Sequence, residues 1–263
     1  MNISIAHIEG GDLSGSIDES VRHAVSKLAH IHFVTNEPAK KRIIRMGENK
    51  NYVFNFGSPD IEVVHQLTRD NFPDMNKTGS GARLDLCDNF LMVIYHPVTT
   101  EINKLAQTTR NLLKAVSEIN MPTLWFWPNY DAGAEKISQE MRIFNDTVRD
   151  HKIRFSRYLP PKDFIYLLKN TKCLIGNSSA GIKECSYLGT PAVDVSLRQN
   201  NRLRSDNVLS SKTDANSIKK AIIEQVSRGR YSKSRMYRSV NTAKRIANKL
   251  ATAELYIQKK FYE

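Results

Sequence analysis

Cysteine is scarce in this chain. The 263 residues hold three, Cys87, Cys173 and Cys185. An odd number at wide spacing excludes a disulfide framework and matches no zinc-ligand pattern, so free thiols in a reducing cytoplasm are expected. Long apolar runs are also lacking. None approaches the about 20 residues that a spanning helix needs, so no membrane partner is expected. The N-terminus, Met1-Asn2-Ile3-Ser4-Ile5-Ala6, lacks a basic stretch followed by a long apolar segment and does not read as a signal peptide. Acidic residues are outnumbered, 27 against 39 Lys and Arg, giving a formal net charge of +12. The basic residues are nevertheless dispersed, apart from Lys40-Lys41-Arg42 and the region 228–245, and no zinc finger or RNA-binding signature is present. A solvated basic surface is the first reading of that charge and an anionic small substrate the second. Nucleic acid is not expected as a partner. No internal repeat or low-complexity tract occurs.

What is present is an alternation of strand and helix. Ile3 to Ile8 reads as a buried strand. Ser16 and Glu19 have the spacing of a capping box. Val21, Ala24, Val25 and Leu28 then recur at the spacing of an amphipathic helix. Ile31 to Val34 is a second strand, followed by a helix from about Pro38 to Met46. Tyr52 to Phe56 is a third strand. The polar, glycine-bearing stretch Asn76-Lys77-Thr78-Gly79-Ser80-Gly81 reads as lying near a domain boundary. A second series follows: strands at Phe90 to Tyr95, Thr123 to Trp127, Cys173 to Ile175 and Ala192 to Val195, with an extended Ile153 to Phe155. Helices are expected at about Thr100 to Ile119, Ala134 to Arg149, Pro161 to Lys169 and Ala180 to Leu188. The remainder from about Ser217 reads as mostly helical. Such βαβ alternation predicts doubly wound parallel sheets with ligands at the carboxyl ends of the strands.

Polar clusters stand at those strand ends. The loop His7-Ile8-Glu9-Gly10-Gly11-Asp12 follows the first strand. Its glycines permit sharp turns and close approach of a ligand. Glu9 at the strand end and Asp18 in the first helical turn place two carboxylates in different environments, which suits an acid/base pair. A loop hydrogen bond for Glu9 and simple capping for Asp18 fit equally well. His96 follows Tyr95 and Asn129 follows Trp127, both beside prolines, where a substrate hydrogen bond is plausible. Gly176-Asn177-Ser178-Ser179 leads from a strand into a helix. Free N–H groups and the helix dipole there favour an anion, while an ordinary serine cap explains the same residues. Glu184 lies too deep in that helix for a capping box. Arg198, after the next strand, has the position of a phosphate clamp, or of a surface arginine. His23, His30 and His32 match no common metal spacing.

Taken together the segments HIEGGDLSGSIDESVRHAVSKLAHIHF, YHPVTTE, WFWPNYDAG and LIGNSSAGIKECSYLGTPAVDVSLRQNNRLR resemble the hydrolysing UDP-N-acetylglucosamine 2-epimerases, the sialic-acid-pathway branch of the UDP-GlcNAc 2-epimerase family. The resemblance implies an α/β, GT-B-like pair of Rossmann-type domains with a UDP-sugar in the cleft. The first domain would be incomplete at its N-terminus, because only about three strands precede the boundary. It would span 1–75, the nucleotide-binding domain 76–235, and a C-terminal helix in 236–263 would return to the first domain. By resemblance Glu9 and Asp18 match carboxylates that transfer protons at the sugar, and His7 and His23 match histidines near the reacting sugar. Ser178 and Ser179 would hold the diphosphate and Glu184 the ribose, with His96, Asn129 and Arg198 as further nucleotide-sugar contacts. The implied reaction removes the C2 proton, expels UDP from C1 and hydrates the resulting 2-acetamidoglucal to N-acetylmannosamine. It needs no metal and no cofactor. A cytoplasmic homo-oligomer, dimer or tetramer, is implied. Two alternatives stand beside this: the same chemistry on a UDP-linked 2,4-diacetamido sugar of the legionaminic acid pathway, or an inactive UDP-binding fragment.

Overall fold

The computed structural model describes residues 3–67, 71–87, 89–238 and 240–263, so Met1 and Asn2 of the leader reading lie outside it. The chain forms two compact units. Met1–Gln66, Asn200–Leu203 and Arg235–Glu263 make up the first, and Leu67–Gln199 with Arg204–Ser234 the second.

The first unit holds a three-stranded sheet in the order β1 (Ala6–Ile8), β2 (Ile31–Val34), β3 (Val53–Asn55), with every pairing parallel. Helices α1 (Ile17–Leu28), α2 (Glu37–Arg45) and α3 (Pro59–Gln66) follow the strands in turn. β2 is central, so all four of its residues are buried. Ile31 and Phe33 pack on one side with Ile246, and Val34 packs on the other with Ala39, Ile43 and Val53. The first strand is shorter than its apolar sequence suggested, and Ile5 and Ile8 are exposed. On α1 the apolar stripe turns outward. Val21 and Leu28 are 56% and 66% exposed, whereas Ser26 is buried. The inward face of this helix is its polar one, with Arg22, His23 and Ser26 half-buried or buried. The capping box is absent as well. Ser16 makes no side-chain cap bond to the backbone and instead donates to Asp18 Oδ2 at 2.9 Å, while Glu19 accepts from the Ser14 N–H at 2.7 Å.

The second unit carries the larger sheet, in the order β10 (Val208–Ser211), β9 (Ala192–Val195), β8 (Cys173–Gly176), β5 (Leu91–Ile94), β6 (Thr123–Phe126), β7 (Ile153–Ser156), β4 (Ser80–Gly81). All neighbours run parallel except β4 against β7. Strands β5 to β9 are buried along their whole length, as a parallel sheet covered on both faces requires. The period-2 alternation sorts their side chains. Leu91, Val93 and Trp125 pack with α4 (Leu105–Ile119), α5 (Ala134–Thr147) and α8 (Ala215–Arg228). Met92, Ile94, Leu124 and Phe126 pack with α6 (Pro161–Asn170), α7 (Glu184–Leu188) and Leu84.

Several elements differ from the sequence reading. The glycine-bearing stretch 76–81 lies in the second unit, within the expected range 76–235, but the chain passes to that unit earlier, after Gln66. Arg154 on β7 explains this. Its buried guanidinium donates to the backbone oxygens of Met75 (2.5 Å), Asn76 (3.1 Å), Thr78 (2.7 Å) and Ala82 (3.1 Å), so a side chain pins the loop to the sheet. The helix expected from Thr100 begins as a 3₁₀ segment, Thr99–Lys104, with a non-helical Glu101. Strands β4 and β10 and helix α3 had no counterpart in the reading. Beyond α8, the described residues of the C-terminal region are helical only in α9 (Thr242–Thr252), which packs against α3. Residues 253–263 instead run as a strap over the first unit. Tyr52 Oη donates to the Glu254 oxygen at 2.9 Å, Tyr256 Oη donates to the His30 oxygen at 3.0 Å, and the Tyr262 N–H donates to the Gly47 oxygen at 3.0 Å. Lys259 inserts its ammonium beside the buried Glu48, 2.6 Å from Oε2, while Lys27 holds Oε1 at the same distance.

Candidate active site

In the second unit the strand order reverses between β5 and β8, and ligands in doubly wound sheets bind at such a switch point, beyond the carboxyl ends. His96 lies just past β5 and Asn177 just past β8. Gly176 makes the exit from β8 possible. Its φ is +130°, and a Cβ there would stand 2.0 Å from the Ile94 oxygen. The chain can therefore turn across its neighbour, and Asn177, buried, comes to lie against His96.

Here a cleft of ≈ 650 Å³ opens, lined by Ile94, His96, Phe126, Trp127, Pro128, Asn129, Tyr130, Ala134, Glu135, Ser138, Arg142, Arg157, Phe164 and Ser178. His96 Nδ1 accepts the Asn129 N–H at 3.2 Å, so the network assigns the ring proton to Nε2. Burial holds the imidazole down at about 4, with Arg198 adding to the effect and Asp131 opposing it. At neutral pH His96 is thus an uncharged donor. Arg142 and Arg157 stand over Trp127, 5.6 and 5.9 Å from a ring centroid, and Phe164 packs edge-on against Phe126. The cleft therefore offers aromatic walls, positive charge and a few fixed polar groups, the composition of a small-molecule site.

The segment around Ser178 departs from expectation. The helix foreseen from Ala180 is broken into a 3₁₀ turn, Ser179–Gly181, and the short α7. Ser178 Oγ accepts the Ala180 N–H at 3.3 Å, so the serine cap is realised, on a 3₁₀ turn and not on a long helix. Ser179 lies in the turn and Glu184 opens α7, both half-buried. Neither they nor Arg198 line the cleft with His96, Asn129 and Ser178. Arg198 donates to the Asn177 oxygen at 3.3 Å. Behind it, Asp194 is buried and paired with Arg204 at 2.6 Å. Burial raises its carboxyl to about 6, against the pull of Arg204.

In the first unit Glu9 takes a left-handed conformation, φ 63°, which a glutamate adopts only under local constraint. Its N–H donates to the Phe33 oxygen at 2.8 Å and its Oε1 accepts from Ser58 Oγ at 2.5 Å. Gly10 keeps the loop against His7, where a Cβ would meet Nδ1 at 2.6 Å. His7 Nδ1 lies 3.1 Å from Ser26 Oγ, and Ser26 gives its one hydroxyl proton to the Arg22 oxygen at 3.0 Å. Nδ1 is therefore the donor and Nε2 keeps its lone pair. Burial lowers the His7 pKa, with Arg22 and then His23 contributing. His23 is also lowered by burial, though Glu19, at 3.9 Å, opposes this. Asp18 is exposed at the start of α1. Asp12 is buried and its carboxylate pairs with Arg202 at 3.1 Å. Among the described residues no group of three or more His, Cys, Asp or Glu is placed to hold a metal. His30 is an anchor, accepting the Ile5 N–H at 3.1 Å and reaching the Ile257 oxygen at 3.1 Å.

Sequence reasoning had Trp127 in an aromatic group read as core with one ring against a base, but it did not single out Phe164, the two arginines, or Asn177 and Ser58 as partners of candidate residues. The Trp-Phe-Trp alternation was the available signal for the aromatic wall. No local signal announces the last two, because their partners lie 81 and 49 residues away.

Comparison with known proteins follows the same lines. The model of a family described as UDP-N-acetylglucosamine 2-epimerase matches residues 1–251. The UDP-N-acetylglucosamine 2-epimerase of Neisseria meningitidis serogroup B is 35% identical over 229 residues, 86% of this chain and 58% of that protein. The UDP-N,N'-diacetylbacillosamine 2-epimerase (hydrolyzing) of Legionella pneumophila is 33% identical over 261 residues, 98% of this chain and 67% of that protein. The chain thus spans somewhat over half to two thirds of the length of these relatives. Among solved structures, the Methanocaldococcus jannaschii UDP-GlcNAc 2-epimerase in complex with UDP-GlcNAc and UDP gives a TM-score of 0.72 at 15% identity, over 95% of this chain and 70% of that one. The Neisseria meningitidis UDP-GlcNAc 2-epimerase bound to UDP-GlcNAc gives 0.71 at 13% identity, with the same coverage. These likenesses show the fold, an α/β chain with parallel sheets of the GT-B-like type.

Proposed function

We propose a function from one premise: the chain belongs to the UDP-N-acetylglucosamine 2-epimerase family. On that premise it takes part in a hydrolysing 2-epimerase reaction that converts UDP-N-acetylglucosamine to N-acetylmannosamine and UDP, for sialic acid biosynthesis. The C2 proton leaves to a base as the C1–O bond to UDP breaks, giving 2-acetamidoglucal. Water then adds its hydroxyl at C1 and a proton returns to C2 on the opposite face.

The observation that supports this most is the neutral His96 at the switch point of the second sheet. It is fixed as a donor through Nε2 in a cleft with aromatic and guanidinium walls. Such a group hydrogen-bonds an anionic or carbonyl oxygen of a nucleotide without drawing counter-charge. Arg142 and Arg157 supply positive potential, and Trp127 and Phe164 supply faces for a base. Ser178, Ser179 and Arg198 are proposed for the diphosphate, Glu184 for the ribose and Asn129 as a further contact. Glu9 and Asp18 are proposed for the two proton transfers, with His7 and His23 beside the reacting carbons. Substrate positioning and proton transfer are what such a reaction asks of a protein. We assign the activity to the cytoplasm and to a homo-oligomer, without a cofactor.

A second reading has its own support, since the Legionella pneumophila relative covers 98% of the chain. It keeps the chemistry and replaces the sugar by a UDP-linked 2,4-diacetamido hexose. Incubation with each sugar nucleotide, reading UDP and free sugar by chromatography, tests both. Release of UDP with N-acetylmannosamine supports the first reading, and turnover of the diacetamido substrate alone supports the second. Absence of UDP from both incubations contradicts the proposal.

A further inference from the structure

We infer that Asn177 is the positioning residue of the second unit, holding His96 through its side chain and Arg198 through its carbonyl oxygen. The role given to His96 and Arg198 rests on the nucleotide reading above, but the pairing itself does not.

Every polar group of Asn177 is engaged with a neighbouring strand or the loop that follows one. Its N–H donates to the Ile94 oxygen at 3.0 Å, extending the β5–β8 ladder by one bond. Its Oδ1 accepts the His96 N–H at 2.8 Å and its Nδ2 donates to the His96 oxygen at 2.9 Å. The carboxamide thus pairs with both backbone groups of one residue, and only one orientation of the amide satisfies both. Nδ2 also reaches Ser196 Oγ at 3.2 Å, in the loop after β9. Its carbonyl oxygen accepts from Gln199 Nε2 at 2.9 Å and from Arg198 at 3.3 Å. One buried residue therefore ties together the loops after three neighbouring strands, β5, β8 and β9. Each of these loops carries a candidate ligand contact: His96, Ser178 and Arg198.

The consequence for His96 is specific. Its ring accepts the Asn129 N–H only while its backbone is held at the present angle over the cleft. Released, the ring loses that bond, its two tautomers mix, and Nε2 no longer presents a fixed donor. An aspartate at position 177 keeps the acceptor for the His96 N–H but has no donor for the His96 oxygen, so it removes half of the pairing at equal size. Alanine removes all of it. Neither change touches the carbonyl oxygen that receives Arg198.

The test is the ring ¹⁵N spectrum of His96 at pH 8, together with UDP titration by calorimetry, on wild type, Asn177→Ala, Asn177→Asp, His96→Ala and the double variant Asn177→Ala/His96→Ala. Wild type is expected to show the Nε2–H tautomer. Asn177→Ala is expected to show mixed tautomers and at least tenfold weaker UDP binding, with Asn177→Asp between the two. In the His96→Ala background the Asn177→Ala change is expected to weaken binding by less than twofold, because its route through His96 is gone. Should Asn177→Ala fail to fold, Asn177→Asp carries the same comparison. An unchanged tautomer in the folded variants overturns the inference, as does an equal loss of UDP affinity with and without His96. If wild type binds no UDP, the nucleotide reading fails, and the ring spectra still decide the role of Asn177.

Discussion

Single residues govern this structure where a buried polar group has one partner arrangement that works. Glu48 is the clearest case. Its carboxylate is almost fully buried and meets Lys259, Lys27 and His32. Burial pushes its pKa up, but the hydrogen bonds from Lys259 and Lys27 outweigh this and hold the group below its ordinary value. Removing one cation leaves a buried charge undercompensated, so Lys259→Met is expected to cost about 1–3 kcal/mol in urea unfolding. Gly176→Ala places a Cβ against the Ile94 oxygen at a φ reserved for glycine, and is expected to cost more than about 1 kcal/mol by the same measurement. The three thiols separate by burial. Cys87 is exposed, while Cys173 and Cys185 are buried with their pKa values pushed up. A colorimetric thiol titration is expected to count one fast thiol in the native protein and three after denaturation.

At the scale of elements, the doubly wound second unit was legible because its signals are local. Four-residue apolar strands alternate with amphipathic helices, and β5, β6, β8 and β9 stand where Phe90–Tyr95, Thr123–Trp127, Cys173–Ile175 and Ala192–Val195 indicated. What escaped was set by distant partners. Arg154 recruits 75–82 into the sheet from more than 70 residues away, so a glycine-bearing stretch that resembles a linker is structural. The C-terminal strap is shaped by Glu48, His30 and Gly47, not by its own periodicity. Helix α1 is the instructive miss. Its period was right, but periodicity does not say which stripe faces inward. His7 and Asp12 engage the polar stripe through Ser26 and Arg22, and the apolar one is left exposed. An exposed apolar stripe on a helix favours self-association. Replacing Val21 and Leu28 together by lysine is therefore expected to lower association in sedimentation velocity while shifting stability by no more than about 0.5 kcal/mol.

The molecule as a whole has an acid-sensitive balance. Burial pushes His32 and His96 to about 4. Below the ordinary imidazole pKa of about 6.5 the unfolded chain takes up protons that the folded one refuses, so both groups withdraw stability as pH falls toward 4. Glu48, held below its ordinary value, acts in the same direction further down. Asp194, raised to about 6, acts oppositely, since its folded form gains the proton first. His7, His23 and His151 are also lowered by burial, so imidazoles outnumber the one raised carboxyl and stability is lost as pH falls from 6 to 4. Urea midpoints across that range are expected to fall with decreasing pH and to level off above pH 7.

The candidate site was legible to the extent that chemistry sits at strand ends. His96, Asn129 and Ser178 meet in one cleft as their shared topological position suggested. The broken helix after Ser178 and the fixing of His96 by Asn177 were not readable, because they depend on how β5 and β8 cross. The reaction itself is tested most directly by incubating the protein with UDP-N-acetylglucosamine in deuterium oxide and reading the product by proton NMR. The account predicts release of UDP and N-acetylmannosamine carrying deuterium at C2. A product that keeps its C2 proton, or UDP released with unepimerised N-acetylglucosamine, would contradict it.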